Sequence, residues 1–116
     1  MNGFPTAEQK RFHDDLRDIG CIVTGAMVVE IHHIFGSKWK AKGFNKPGEW
    51  LVIPLHRKTH AEINSYSFES ERALFLASLR KYKLIFGKDA PVPEMLIEYY
   101  KAMKHRNDIT KGLPIN

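Results

Sequence analysis

Val28-Val29-Glu30-Ile31-His32-His33-Ile34 ends a short β-branched run on two adjacent histidines, and Trp50-Leu51-Val52-Ile53-Pro54 begins a second run beyond a long connection. Arg57 to about Asn64 then has the character of a short helix, which puts His60 and Asn64 four residues apart on one face. Strand, long loop, strand, helix is the central unit that these stretches predict. The first strand is expected from about Ala26 to Ile31, and the second over Trp50–Ile53 with Pro54 as its stop. Between them, residues 34–48 hold Gly36, Gly43, Pro47 and Gly48 and read as a loop. Loops of this length in a small domain are commonly functional or disordered.

Helices flank that unit on both sides. Thr6-Ala7-Glu8-Gln9 is a capping-box pattern, Phe12, Leu16 and Ile19 follow at helical spacing, and Gly20 suits the C-terminal end. A helix is therefore predicted over 7–19, with His13 beside its apolar stripe as a packing or surface residue. Cys21-Ile22-Val23-Thr24-Gly25 has the composition of a tight turn. In the second half, Phe68, Ala73, Leu74, Leu76, Ala77, Leu79 and Ile85 form a broad apolar stripe ending at Gly87. Asp89-Ala90-Pro91-Val92-Pro93 breaks the chain before a last helix from Glu94 to about Lys104. Both helices read as core or partner surface. The expected architecture is one α+β domain over 1–116: an N-terminal helix (about 7–19), a ββα core (about 21–65) and two C-terminal helices (about 67–105).

Composition narrows the class. With 116 residues, 43% hydrophobic and 27% charged, the chain is sized for one folded domain and is unlike a disordered one. No apolar run approaches the roughly 20 residues of a membrane span, so no membrane association is expected. The opening residues lack a signal-peptide core, and Cys21 is the single cysteine. A reducing, cytoplasmic setting is the default expectation. Eighteen Lys+Arg against 13 Asp+Glu give +5 with neutral histidines. Within that excess, Lys38, Lys40, Lys42 and Lys46 lie close together without an acid and are interleaved with Trp39 and Phe44. Such a segment suits a phosphate backbone, and equally a solvated loop.

The histidines suggest chemistry. Hydrolysis of a phosphodiester requires a cation on the phosphate, a base for the attacking water and a means of holding the leaving oxygen. A divalent ion stabilises the charge, and a neutral imidazole accepts the proton. Successive residues of a strand point to opposite faces, so His32 and His33 can divide these tasks. His60 and Asn64 offer an imidazole and an amide oxygen, a mixed set compatible with Mg²⁺, Mn²⁺ or Zn²⁺. Glu30, two residues before His32, could hold the far ring nitrogen and fix its tautomer. The plain alternative is two strand histidines and a helix-start histidine on an ordinary surface.

The set Cys21-x-x-x-Gly25, Glu30-Ile31-His32-His33-Ile34 and Val52-Ile53-Pro54-Leu55-His56-Arg57-Lys58-Thr59-His60-x-x-x-Asn64 resembles the HNH, or ββα-metal (His-Me finger), endonuclease motif. Within that superfamily it most resembles phage-encoded Ref-type nucleases, which act with RecA recombinase. The resemblance spans roughly residues 20–65. It implies a metal-dependent DNA endonuclease, with one divalent ion (Mg²⁺ or Mn²⁺ in activity, Zn²⁺ as an option) held by His32, His60 and Asn64. His33 would be the general base, and the products would carry 5′-phosphate and 3′-hydroxyl ends. Lys38, Lys40, Lys42, Lys46, Arg57 and Lys58 would meet DNA phosphates. DNA and a RecA-type filament are the implied partners, in a bacterial host cytoplasm if the chain is phage-encoded; oligomeric state stays open.

Two departures from the family pattern carry consequences. Many members have a central Asn at the start of the second strand, which braces the loop and orients the base; Trp50 or Leu51 stands there. A catalytically weak nucleic-acid-binding module that keeps the fold is therefore the competing expectation. Many relatives also carry a zinc knuckle of two Cys-x-x-Cys pairs, whereas the equivalent positions here are Cys21, Thr24, His56 and Thr59. Structural zinc wants four protein ligands, so structural zinc is not expected. Packing is then left to stabilise the core, with Cys21 and His56 as buried neighbours.

Overall fold

The computed structural model describes residues 5–35 and 48–105. Among the described residues, four helices surround a two-stranded antiparallel sheet in a small α+β fold: α1 (Ala7–Ile19), β1 (Glu30–His33), β2 (Val52–Leu55), α2 (Arg57–Glu62), α3 (Phe68–Phe86) and α4 (Glu94–Ala102). A 3₁₀ turn, Ile63–Ser65, prolongs α2. Among the described residues no helix is long and apolar enough to cross a membrane.

The start of α1 follows from its sequence. The Thr6 hydroxyl accepts from the Gln9 N–H at 3.1 Å, and the Gln9 side chain accepts from the Thr6 N–H at 2.8 Å. These two bonds satisfy donors that a helix start otherwise leaves open. At the other end Gly20 takes φ 88°, a region that disfavours any side chain. A Cβ there would also lie 3.0 Å from the Ala26 carbonyl oxygen.

The strands differ from expectation by a shift in register. β1 begins at Glu30, not near Ala26, because Cys21–Ala26 closes on itself. The Cys21 N–H donates to the Ala26 carbonyl at 2.7 Å, and the Gly25 N–H to the Cys21 carbonyl at 2.8 Å. Met27 and Val28 then run exposed, and the ladder pairs Glu30 with Leu55, Ile31 with Pro54, His32 with Ile53 and His33 with Val52. Pro54 therefore lies inside β2 and does not end it. Its carbonyl accepts from the Ile22 N–H, so the side of Pro54 that lacks an N–H faces away from β1. No ladder bond is lost, which is the edge arrangement that proline tolerates.

All four residues of β2 are buried. Phe12, Leu16 and Ile19 of α1 close over the core as their spacing implied. The Phe12 ring sits 5.6 Å from Trp50 and 5.9 Å from Tyr82, and the Tyr82 hydroxyl donates to Asp15 at 2.9 Å. Burial, with Asp15 beside it, pushes the Tyr82 phenol up to about 12. α4 docks through Tyr100, whose ring meets Phe35, Phe68 and Phe75 at centroid distances of 5.4–5.7 Å. Arg72 lies over the Phe68 ring and donates to the carbonyls of Tyr100, Lys101 and Met103. It thereby caps a helix end two residues shorter than Glu94–Lys104 predicted. The outcome is a core that fixes β1, β2 and α2 against α1 and α3.

Candidate functional site

His32, His33 and His60 each meet a carboxylate from a different part of the fold. His32 Nε2 lies 2.5 Å from Glu71 Oε2 of α3. His33 Nε2 lies 2.8 Å from Glu49 Oε1, in the turn before β2. His60 Nδ1, on α2, lies 2.7 Å from Glu30 Oε1 at the start of β1. An ionised carboxylate only accepts, so each imidazole is the donor in its pair. In the neutral rings this leaves the lone pair on Nδ1 of His32, Nδ1 of His33 and Nε2 of His60. Tautomer and ring orientation are thus set from outside the histidines, as expected where imidazoles serve as ligands or bases.

Burial grades the three pairs. The side chains of His32 and Glu71 are 12% and 2% exposed, those of His33 and Glu49 42% and 11%, and those of His60 and Glu30 31% and 51%. The Glu71 carboxylate would be costly there without a donor, and His32 supplies one. By contrast, the His60–Glu30 pair is open to water, so its worth is about 0–1 kcal/mol. Glu30 therefore acts on His60, across the strand–helix junction, while Glu71 takes the place beside His32 that Glu30 was expected to fill.

His32 and His60 face each other with ring centroids 5.0 Å apart and planes at 69°. Two imidazoles sharing an ion through bonds of about 2.1 Å would hold their centroids roughly 4.5–5.2 Å apart at ligand angles of about 90–109°. The observed separation of 5.0 Å lies within that range. Asn64 is exposed and belongs to the 3₁₀ turn, not to a continuous α-helix. The tighter winding rotates it about 40° further around the axis from His60 than an α-helix would. Among the described residues, no group of three or more His, Cys, Asp or Glu side chains is arranged to hold a metal ion. Two imidazoles therefore meet here, with Asn64 as a nearby exposed amide.

Behind His33 stands a second layer. His13 Nε2, on α1, is 2.7 Å from the Glu49 carbonyl oxygen and 3.7 Å from Glu49 Oε1. Its ring is perpendicular to that of His33, with centroids 6.0 Å apart. Burial lowers the His13 pKa below 6.5, against the opposing pull of the Glu49 carbonyl and carboxylate. The ring is thus neutral at pH 7, and its Nε2–H donates to the carbonyl.

Arg57 and Lys58 are exposed at the start of α2, beside His56 and within one turn of His60. Lys38, Lys40, Lys42 and Lys46 lie outside the described residues. Cys21 is buried, and its sulfur accepts from the Thr24 N–H at 3.4 Å. Burial pushes this thiol up, but N–H groups of His56, Thr24 and Val23 and the Thr24 hydroxyl outweigh it and bring it down to about 7. His56 caps α2, its Nδ1 accepting from the Lys58 N–H at 3.3 Å.

Sequence does not single out Glu49 or Glu71, and it reads His13 as a packing or surface residue. Glu71 did leave a trace. It interrupts the row Phe68, Glu71, Phe75, Ser78, Tyr82, which repeats at three- and four-residue steps along one face of α3. An acid within a stripe that is otherwise buried signals a specific partner. Glu49 leaves no comparable trace, because its link to His33 spans 16 positions and follows no local spacing. No protein-family model, curated protein or solved structure matches the chain.

Proposed function

We propose that this chain is a metal-dependent DNA endonuclease of the ββα-metal type, in which His33 is the base and His32, His60 and Asn64 hold one divalent ion. The observation that carries the reading is the facing His32–His60 pair, 5.0 Å between centroids, next to a His33 whose Nε2 is engaged by Glu49. Mg²⁺ or Mn²⁺, when bound, would supply charge stabilisation on the scissile phosphate and its leaving oxygen.

The residues divide the remaining work. Glu49 holds His33 by Nε2–H, so Nδ1 carries the lone pair that accepts a proton from water. His33 is 42% exposed on its side chain, as a group that must reach water and substrate requires. Glu71 and Glu30 keep the rings of His32 and His60 from turning away. Arg57 and Lys58, exposed at the start of α2, suit contact with backbone phosphates, which positions DNA without reading sequence. Action on recombination intermediates with a RecA-type filament belongs to this reading through the sequence resemblance alone.

A second reading, a nucleic-acid-binding module with weak or no turnover, is favoured by one observation. Among the described residues no cluster of three His, Cys, Asp or Glu ligands is present. Incubation of supercoiled plasmid with the protein in Mg²⁺ or Mn²⁺ separates the two. Nicking that a chelator abolishes supports the endonuclease; DNA binding without nicking in either metal supports the module.

A further inference from the structure

We propose that His13, on α1 and outside the strand–helix unit, is a positioning residue for the His33 base, acting through Glu49. The inference rests on the reading of His33 as the base. Glu49 lies before β2 and outside the β1–β2 ladder, so strand pairing does not set its position. A hydrogen bond across 36 sequence positions joins its backbone to α1, from His13 Nε2 to the Glu49 carbonyl at 2.7 Å. The same residue sends its carboxylate 2.8 Å from His33 Nε2. One residue thus receives α1 on its backbone and presents its side chain to β1.

The chemistry of each atom supports a directed chain. A carbonyl and an ionised carboxylate both accept, so His13 and His33 must both be donors through Nε2. His13 is 6% exposed, with its ring 6.3 Å from that of Phe12. Burial favours its neutral form, which retains the Nε2–H that the bond requires. The ring also stands edge-on to His33 at 6.0 Å, limiting how far that ring can swing toward α1. Glu49 thereby does for His33 what the missing central Asn was expected to do, with His13 as its anchor.

The test uses the full chain. Long-range ¹H–¹⁵N NMR of the neutral rings reports tautomers directly; both His13 and His33 are expected to carry the proton on Nε2. A proton on Nδ1 of either neutral ring overturns the proposal, whether or not the chain nicks DNA. His13→Leu keeps the volume and removes the donor, whereas His13→Gln keeps an amide N–H of similar reach. At saturating Mn²⁺ and plasmid, His13→Leu should lose turnover roughly tenfold, with DNA KM and Mn²⁺ affinity unmoved, and His13→Gln should recover most of it. A folded His13→Leu with wild-type turnover and an unchanged His33 tautomer also overturns it. A wild type that never nicks DNA counts against the endonuclease reading, and the tautomers still decide the positioning.

Discussion

His32 Nε2 and Glu71 Oε2 stand 2.5 Å apart, joining the exposed-edge strand β1 to the buried face of α3. This contact links the candidate metal ligand to the core. Removing Glu71 deprives His32 of the group that fixes its ring and leaves a buried N–H without its acceptor. We expect Glu71→Ala to weaken Mn²⁺ binding about 10–100-fold, in line with loss of a carboxylate behind a ligating imidazole. Isothermal titration with Mn²⁺ checks the affinity. The same variant should lose about 1–3 kcal/mol of stability by urea unfolding.

His13 predicts an acid-side loss of stability. Its folded-state pKa is below 6.5, so between the two values the unfolded chain binds more protons than the folded one. Its contribution is fully present above pH 6.5 and declines as pH falls through the folded value. Arg17 and His33 disfavour the charged ring, while the Glu49 carboxylate favours it. Urea midpoints of the wild type and His13→Gln, measured from pH 8 to 5, should diverge only below about pH 6.5, with the wild type falling faster.

Much of the scaffold was legible in the sequence because local signals carried it. Thr6 and Gln9 made the predicted capping box, and α1 spans the predicted residues. β1 was misplaced because Val28 and Val29 have strand-like side chains, yet the Cys21–Ala26 turn delays pairing until Glu30. Pro54 was misread because a proline's cost depends on which way its backbone faces, and only the ladder reveals that. The three histidines could be singled out by type and spacing. Their carboxylates could not, since Glu49 and Glu71 reach them over 16 and 39 positions. Tertiary contacts of that span leave no period to read.

On the proposed function, DNA binding should be strongly salt-dependent and weakly sequence-dependent, because exposed cations would contact phosphates that carry no base information. Log affinity against log salt should fall with a slope of about −0.9 per phosphate neutralised on duplex DNA. Arg57→Ala and Lys58→Ala should each reduce the slope by about 1 and weaken binding similarly on unrelated sequences. Fluorescence anisotropy with two unrelated duplexes over a salt series is the check. A flat salt profile would contradict a phosphate-tracking surface.

The Tyr82–Asp15 bond should matter to stability and not to chemistry. The hydroxyl donates at 2.9 Å between α3 and α1. Tyr82→Phe is expected to lower stability by about 0.5–1.5 kcal/mol and to leave Mn²⁺ affinity and DNA binding as in the wild type. Thermal melting with a parallel metal titration measures both.

The central claim is that His33 accepts the water's proton while His32 helps hold the ion, and one paired measurement addresses it. Plasmid nicking and Mn²⁺ affinity are compared for the wild type, His33→Ala and His32→Ala. The account predicts that His33→Ala loses about 10²–10⁴-fold in turnover and binds Mn²⁺ like the wild type, whereas His32→Ala loses Mn²⁺ affinity. Equal nicking by the wild type and His33→Ala would contradict it.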